Sequence, residues 1–297
     1  MNKFEEYYKE KIEIVNDYLD KFLPTEEIKP HILHKAMRYA VFSKGKRLRP
    51  ILVLVGTEMF LGGFDRAIPS ACGTELIHTF SLIHDDLPAL DDDDFRRGVP
   101  TCHRAFSEDV AILCGDALLV LGLRLISYEG LNWGVSHESL IKITDIITNI
   151  LGTNGLVGGE MMDLLSEDKE ISYEDLLFIH IHKTADFIRG SLEIGAILGD
   201  ADDNSFKLLS KFGHEIGIAF QIKDDILDIE GDEKVLGKPV GSDQKKKKAT
   251  YPLLFGMEQA KKELSDRIEK ALSYIEDFGD KAWFLRDLAI FIKNRSR

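Results

Sequence analysis

The chain has 297 residues, 44% of them hydrophobic and 30% charged, and its 38 basic against 51 acidic side chains leave a formal net charge of −13 at pH 7. That length supports a large core in one or two domains. The charge argues against bulk attraction to nucleic acid or an anionic membrane, so an anionic ligand would have to be held by local devices. Cys72, Cys102 and Cys114 are odd in number and lack zinc-type spacing, and read as reduced thiols of a cytoplasmic protein.

From the N-terminus, Met1 to Glu6 is acidic without an apolar core, so it is not a signal peptide. Helical spacing then dominates, with no sustained strand-type alternation. It predicts helices near 3–22, 31–43, 48–61, 66–87, 107–128, 137–165, 172–199, 203–229, 248–276 and 281–294. Between them fall Pro24, Pro30, Gly45, Gly62-Gly63, Pro100, Gly130, Gly231, Gly237 with Pro239, and Gly279. Ile51 to Val55 has the length of a buried strand, but no partner strand is apparent, so a fully buried helix is the better assignment. Ala111 to Ile126, interrupted by Asp116 and Arg124, is too short and polar for a bilayer span and reads as a buried helix. Asp116 is then a buried acid in a structural hydrogen bond, and Glu160 and Asp163 are assigned alike. The expected fold is all-α: one domain over 1–297, a bundle of about ten or more helices around a central cavity.

The segment Asp85-Asp86-Leu87-Pro88-Ala89-Leu90-Asp91-Asp92-Asp93-Asp94-Phe95-Arg96-Arg97-Gly98 packs six aspartates and two arginines into fourteen residues. Carboxylates so crowded repel unless cations lie between them. Mg²⁺ is commonly held by one or two carboxylates plus substrate phosphate oxygens, and arginines are the natural partners of those phosphates. A second acidic segment, Gln221-Ile222-Lys223-Asp224-Asp225-Ile226-Leu227-Asp228, puts Gln221, Asp224 and Asp228 on one helical face. Two such segments facing each other across a cavity could share metal ions. Asp85 and Asp91 are six apart, which leaves them far out of line on a straight helix. With Pro88 between them, the segment has to bulge if both carboxylates are to face the same way.

Further motifs, in order, are Gly45-Lys46-Arg47-Leu48-Arg49-Pro50, His78, Gly158-Gly159-Glu160, His182-Lys183-Thr184, Gly237-Lys238 and Lys248-Ala249-Thr250-Tyr251-Pro252. With these the chain resembles the short-chain trans-prenyl diphosphate synthases over nearly its whole length, and most closely the bacterial farnesyl diphosphate synthases. The resemblance implies head-to-tail condensation. Dimethylallyl or geranyl diphosphate ionises to an allyl cation with the help of Mg²⁺, three ions with Mn²⁺ as a possible substitute. The double bond of isopentenyl diphosphate attacks, a proton is lost, and farnesyl diphosphate and diphosphate result. Geranyl or geranylgeranyl diphosphate as the main product is the alternative. A terpene cyclase on the same scaffold is disfavoured by a second diphosphate pocket. A silent partner subunit should have lost one aspartate cluster, and this chain keeps both.

On the same resemblance, Asp85, Asp91 and Asp224 are metal ligands, with Asp86, Asp225 and Asp228 lesser candidates and Asp92, Asp93 and Asp94 solvated or behind the metal ligands. Arg96 and Arg97 grip the allylic and isopentenyl diphosphates respectively. Lys46, Arg49 and His78 form the isopentenyl diphosphate site, with Arg47 a charge at the surface or behind it. Lys183, Thr184, Gln221 and Lys238 contact the allylic substrate, the Thr184 and Gln221 oxygens near the nascent cation, and Lys248 is a further substrate-proximal lysine beside the solvated run Lys245–Lys247. Phe80 and Ser81, just upstream of Asp85, floor the hydrocarbon pocket and set chain length, Phe80 reaching in from the flank. A homodimer is expected on the same ground, with the apolar helix near 107–128 as interface.

Overall fold

The computed structural model describes residues 2–167, 169–230 and 250–295. In chain order the helices are α1 (Lys3–Phe22), α2 (His31–Phe42), α3 (Leu48–Leu61), α4 (Ile68–Asp85), α5 (Cys102–Ala105), α6 (Glu108–Ser127), α7 (His137–Leu151), α8 (Leu156–Ser166), α9 (Tyr173–Ile179), α10 (Asp186–Leu198), α11 (Asp203–Glu230), α12 (Tyr251–Phe255), α13 (Met257–Tyr274) and α14 (Trp283–Asn294). A π-helical turn, His180–Ala185, joins α9 to α10, and short 3₁₀ turns link other elements. The one sheet among the described residues is a hairpin of β1 (Phe95–Arg96) and β2 (Val99–Pro100).

Local chemistry sets the helix ends. α1 opens with a capping box, Asn2 Oδ1 accepting from Glu5 N at 2.9 Å and Glu5 Oε2 from Asn2 N at 3.2 Å. α3 takes Ile51 to Val55 as a helix in which none of the five is more than 3% exposed. It achieves this by lying directly on α10. A Cβ on Gly195 would stand 2.6 Å from Val53 O, so only glycine permits the approach, and Thr57 Oγ1 donates across it to Gly195 O at 3.1 Å. One face of the α3–α10 pair feeds a core with Ile216, Ile268 and Leu288, the other a core with Leu76, Leu118 and Ile143. This rigid central layer positions the site.

Three predicted helices are divided. The 137–165 stretch breaks into α7 and α8 at Gly152-Thr153-Asn154-Gly155, where Gly155 adopts φ −141, ψ −138. The 172–199 stretch contains the π turn. The 248–276 stretch, described from residue 250, is cut at Gly256, whose φ is +83. α6 is the one described helix long and apolar enough to cross a membrane by length and composition. It packs along α4 with Ala111, Cys114, Leu118 and Leu125 buried. It is not buried on all sides: Ile112, Leu113 and Val120 are exposed, and Asp116 lies on the exposed face, not in the core as expected.

Candidate active site

α4 stops at Asp85 because Pro88 lacks an N–H and disfavours helical backbone at Leu87. Leu87 N donates to His84 O at 3.1 Å and Leu90 N to Leu87 O at 2.9 Å. The loop then closes, Asp91 N donating to Asp85 O at 2.9 Å, with Asp92 at φ +48 completing the reversal. The expected bulge is thus a chain reversal that returns Asp91 to Asp85. Burial lifts the Asp85 carboxyl above the usual range; Lys183 and Arg96 pull it down, and Asp91 and Asp86 push it up. Asp86 turns away, holding Arg96 Nε at 2.6 Å, and burial raises it to about 6. Arg104 pairs with Asp92 at 3.3 Å and Asp94 at 2.5 Å, bracing the outer side of the loop.

The β1–β2 turn has Arg97 at φ +55 and Gly98 at φ +81, the two positive values of a tight hairpin turn. It sends the adjacent arginines apart. Arg96 goes to Asp86, and Arg97 lies over Gly45, where a Cβ would be only 2.6 Å from its Nη1. Behind Arg97, Arg49 Nη1 and His78 Nε2 are 3.4 Å apart, and the Arg49 guanidinium stacks 4.9 Å from the Phe187 ring centroid. Burial, then Arg49, Arg97, Arg96 and Arg47, hold His78 well below the ordinary histidine range, so it is neutral. Burial also brings Arg49 down to about 10, and its Nε is buried without a partner. Several guanidinium groups around a neutral imidazole make a lining suited to an anion.

Arg47 is neither a surface charge nor free. It is 4% exposed, at φ +50, bonded to Glu75 at 2.6 Å, Val41 O at 2.5 Å and Asn16 at 3.0 Å. Its ion pair pins the loop that presents exposed Lys46, whose carbonyl accepts from Tyr8 Oη at 2.7 Å.

The π turn joins this region to the second acidic segment. Lys183 Nζ reaches Glu160 at 2.6 Å and Asp163 at 2.7 Å, and Asp163, Asp85 and Glu160 raise its pKa against the effect of burial. Burial, reinforced by Asp85, lifts Glu160 to about 7. α8 comes this close because Gly159 has no side chain: a Cβ there would sit 2.5 Å from Lys183 N. Glu160 and Asp163 therefore belong to the site's charge network, which the sequence assignment missed; their i, i+3 spacing beside Gly159 was the available signal. On the turn's next residue, Thr184 Oγ1 donates to Gln221 Oε1 at 3.0 Å.

The second aspartates differ. Asp225 is 3% and Asp228 1% exposed, and Asp225 is engaged by Gln221, Tyr251 N and His180. Asp224 is more open and binds Arg295 Nη2 at 2.8 Å. Arg295 also donates to Phe220 O at 3.0 Å and lies 4.1 Å over the Phe220 ring. No sequence motif marked Arg295. Phe80 is half-buried, edge-on to His84 at 4.9 Å, and Ser81 Oγ donates to His78 O at 3.0 Å. Lys238 and Lys248 lie outside the described residues. Among the described residues no three acidic, histidine or cysteine groups converge as a ready-made metal site. The residues expected from the sequence to hold a metal, Asp85, Asp91 and Asp224, are all carboxylates, a donor type that suits Mg²⁺ completed by phosphate oxygens.

Solved structures similar to this all-α chain include prenyl diphosphate synthases. The geranyltransferase of Helicobacter pylori, complexed with magnesium and isoprenyl diphosphate, matches with TM-score 0.84 at 30% identity, covering 99% of this chain and 97% of that one. In sequence, the geranylgeranyl diphosphate synthase of Cyanophora paradoxa is 42% identical over 291 residues, 98% of this chain and 96% of the relative. The farnesyl diphosphate synthase of Bacillus subtilis is 43% identical over 242 residues, 82% of this chain and 81% of the relative. Residues 30–284 match the polyprenyl synthetase family, and the chain belongs to that family. Its activity is trans-prenyl transfer. Geranylgeranyl diphosphate synthases recur among its relatives.

Proposed function

We propose that the chain condenses isopentenyl diphosphate with an allylic diphosphate between its two acidic segments, and that elongation ends mainly at geranylgeranyl diphosphate. The observation that carries the reaction is the π turn. It sends Lys183 toward Asp85, Glu160 and Asp163, and Thr184 to Gln221 on the Asp224 helix. Magnesium held by Asp85, Asp91 and Asp224 with diphosphate oxygens would neutralise the leaving group. Three ions is the complement expected. Lys183 and Arg96 hold the allylic diphosphate, with Lys238 and Lys248 as further lysines. Lys46, Arg49, His78 and Arg97 hold the isopentenyl diphosphate; the unpartnered Arg49 Nε supports this. Thr184 and Gln221 turn oxygens toward the forming cation.

The recurring geranylgeranyl relatives support the longer product over the farnesyl diphosphate expected from the sequence. Farnesyl diphosphate is the second reading, favoured by the Phe80 ring as a pocket floor. The test is product analysis by chromatography after incubation with Mg²⁺, isopentenyl diphosphate and, separately, dimethylallyl, geranyl and farnesyl diphosphate. Failure to elongate farnesyl diphosphate would overturn the first reading in favour of the second, and no elongation at all would overturn both.

The working unit is the whole chain as one domain: α1, outside the matched stretch, packs Phe4 on Phe284 at 5.1 Å and Phe291 at 5.7 Å. It acts as a homodimer through α6, whose outward Leu113 is 58% and Val120 66% exposed. Sedimentation of a monomer at micromolar concentration would count against that. A cytoplasmic setting agrees with three free, buried thiols.

A further inference from the structure

Gln221 stands between two unlike partners. Thr184 Oγ1 donates to its Oε1 at 3.0 Å, and its own Nε2 donates to Asp225 Oδ1 at 3.1 Å. A primary amide has nearly the same shape either way round, so sterics alone do not choose between these orientations. The choice is made at Asp225. That residue is 3% exposed, and its Oδ2 accepts from Tyr251 N at 2.8 Å with His180 Nε2 at 3.3 Å. The Tyr251 N–H belongs to the backbone and can only donate. That backbone donor fixes one side of the carboxylate, and a carboxylate is an acceptor only, so it offers Gln221 nothing but an acceptor oxygen. It takes the nitrogen end of Gln221 and repels the oxygen end.

We infer that Asp225 is a positioning residue, not a metal ligand: it locks the Gln221 amide with its oxygen turned to Thr184 and the reacting cation. The inference rests on the prenyl-transfer function proposed above. It explains why neighbouring aspartates differ, Asp224 open and Asp225 buried among donors. An amide oxygen aimed at an allyl cation stabilises it. The same amide reversed would present N–H groups and oppose it.

Asp225→Asn keeps the shape of the side chain. Its new amide keeps an oxygen on the Tyr251 N–H, so its NH₂ meets Gln221, which has to turn over. Gln221→Glu alone sets two carboxylates against each other. Asp225→Asn combined with Gln221→Glu restores a donor facing an acceptor and returns an oxygen to Thr184, at unchanged net charge. We expect Asp225→Asn to lower kcat about 10²-fold, with KM for the allylic diphosphate changed less than about threefold. The double variant should regain at least about 10-fold over the worse single one. Two further readouts do not depend on turnover. Calorimetry with an analogue carrying an ammonium nitrogen at the reacting carbon, against a neutral analogue, should show preference for the cation in the wild type and the double variant and its loss in Asp225→Asn. The thermal midpoint of the metal-free double variant should exceed that of either single variant, even if the singles fold poorly. Wild-type kcat in Asp225→Asn, additive losses in the double variant, or recovery of the midpoint without recovery of kcat would each overturn the inference. If the wild type makes no prenyl product with magnesium, the proposed function fails instead, while the midpoint cycle still tests the Gln221–Asp225 pairing.

Discussion

Replacing Gly159 with alanine adds one methyl group and tests whether α8 positions Lys183. The new Cβ would stand 2.5 Å from Lys183 N, 2.9 Å from His182 C and 3.0 Å from Lys183 Cα. All three are backbone atoms and cannot swing aside. Ordinary contact begins near 3.4 Å, so α8 and the π turn have to part by roughly 0.9 Å. Glu160 and Asp163 move with α8, and their 2.6 and 2.7 Å contacts to Lys183 stretch past good hydrogen-bond length. Overpacking of this kind costs about 1–3 kcal/mol, and a displacement near 1 Å at a reacting site costs about 10²-fold in rate. Steady-state kinetics at saturating isopentenyl diphosphate should show kcat falling by about that factor. Gly63→Ala, with nothing within 4 Å of its Cβ, is the control. Wild-type kcat in Gly159→Ala would refute the link between α8 and Lys183, whatever the change in melting temperature.

Three further outcomes are expected. Asp85, Asp86 and Glu160 are all held above their ordinary values, Asp86 to about 6 and Glu160 to about 7. The folded, metal-free protein then binds more protons than the unfolded chain between about pH 4 and 7, so its stability falls as pH rises through that window. Melting curves across it should show this, and Glu160→Gln should flatten the slope; an unchanged slope counts against the assignment. Arg47→Met leaves Glu75, 1% exposed, as a buried unpaired carboxylate, and urea unfolding should register a loss of about 3–5 kcal/mol. A loss under about 1 kcal/mol would mean that the pair does not anchor the loop. Finally, Phe80→Ala should shift the products by one or more isoprene units upward, and an unchanged product pattern would remove Phe80 from the pocket floor.

The helical periodicity of the sequence is enough to define most of the fold. The limits of α1 and α3 match the predicted ranges, because caps, glycines and prolines act locally and can be read locally. The division of 137–165 at Gly152 and Gly155 and the π turn at His180 were not apparent. A helical apolar pattern runs through both, and the breaks serve contacts with distant segments. Residue identity also marked the arginine pair and the two acidic segments, since their chemistry depends on composition and short spacing.

What each charged side chain does there was decided only in three dimensions. Arg47 resembles its neighbours Lys46 and Arg49 in sequence, yet it is spent on Glu75, 28 positions away. Asp224 and Asp225 are adjacent, but the helix turns one toward Arg295 and the other into a ring of donors that includes Tyr251 N, 26 positions on. Glu160 and Asp163 look like ordinary acids on a helix until Gly159 lets α8 rest on the backbone of Lys183. Burial and long-range partners set the free energy of a charge, and neither is a property of nearby sequence.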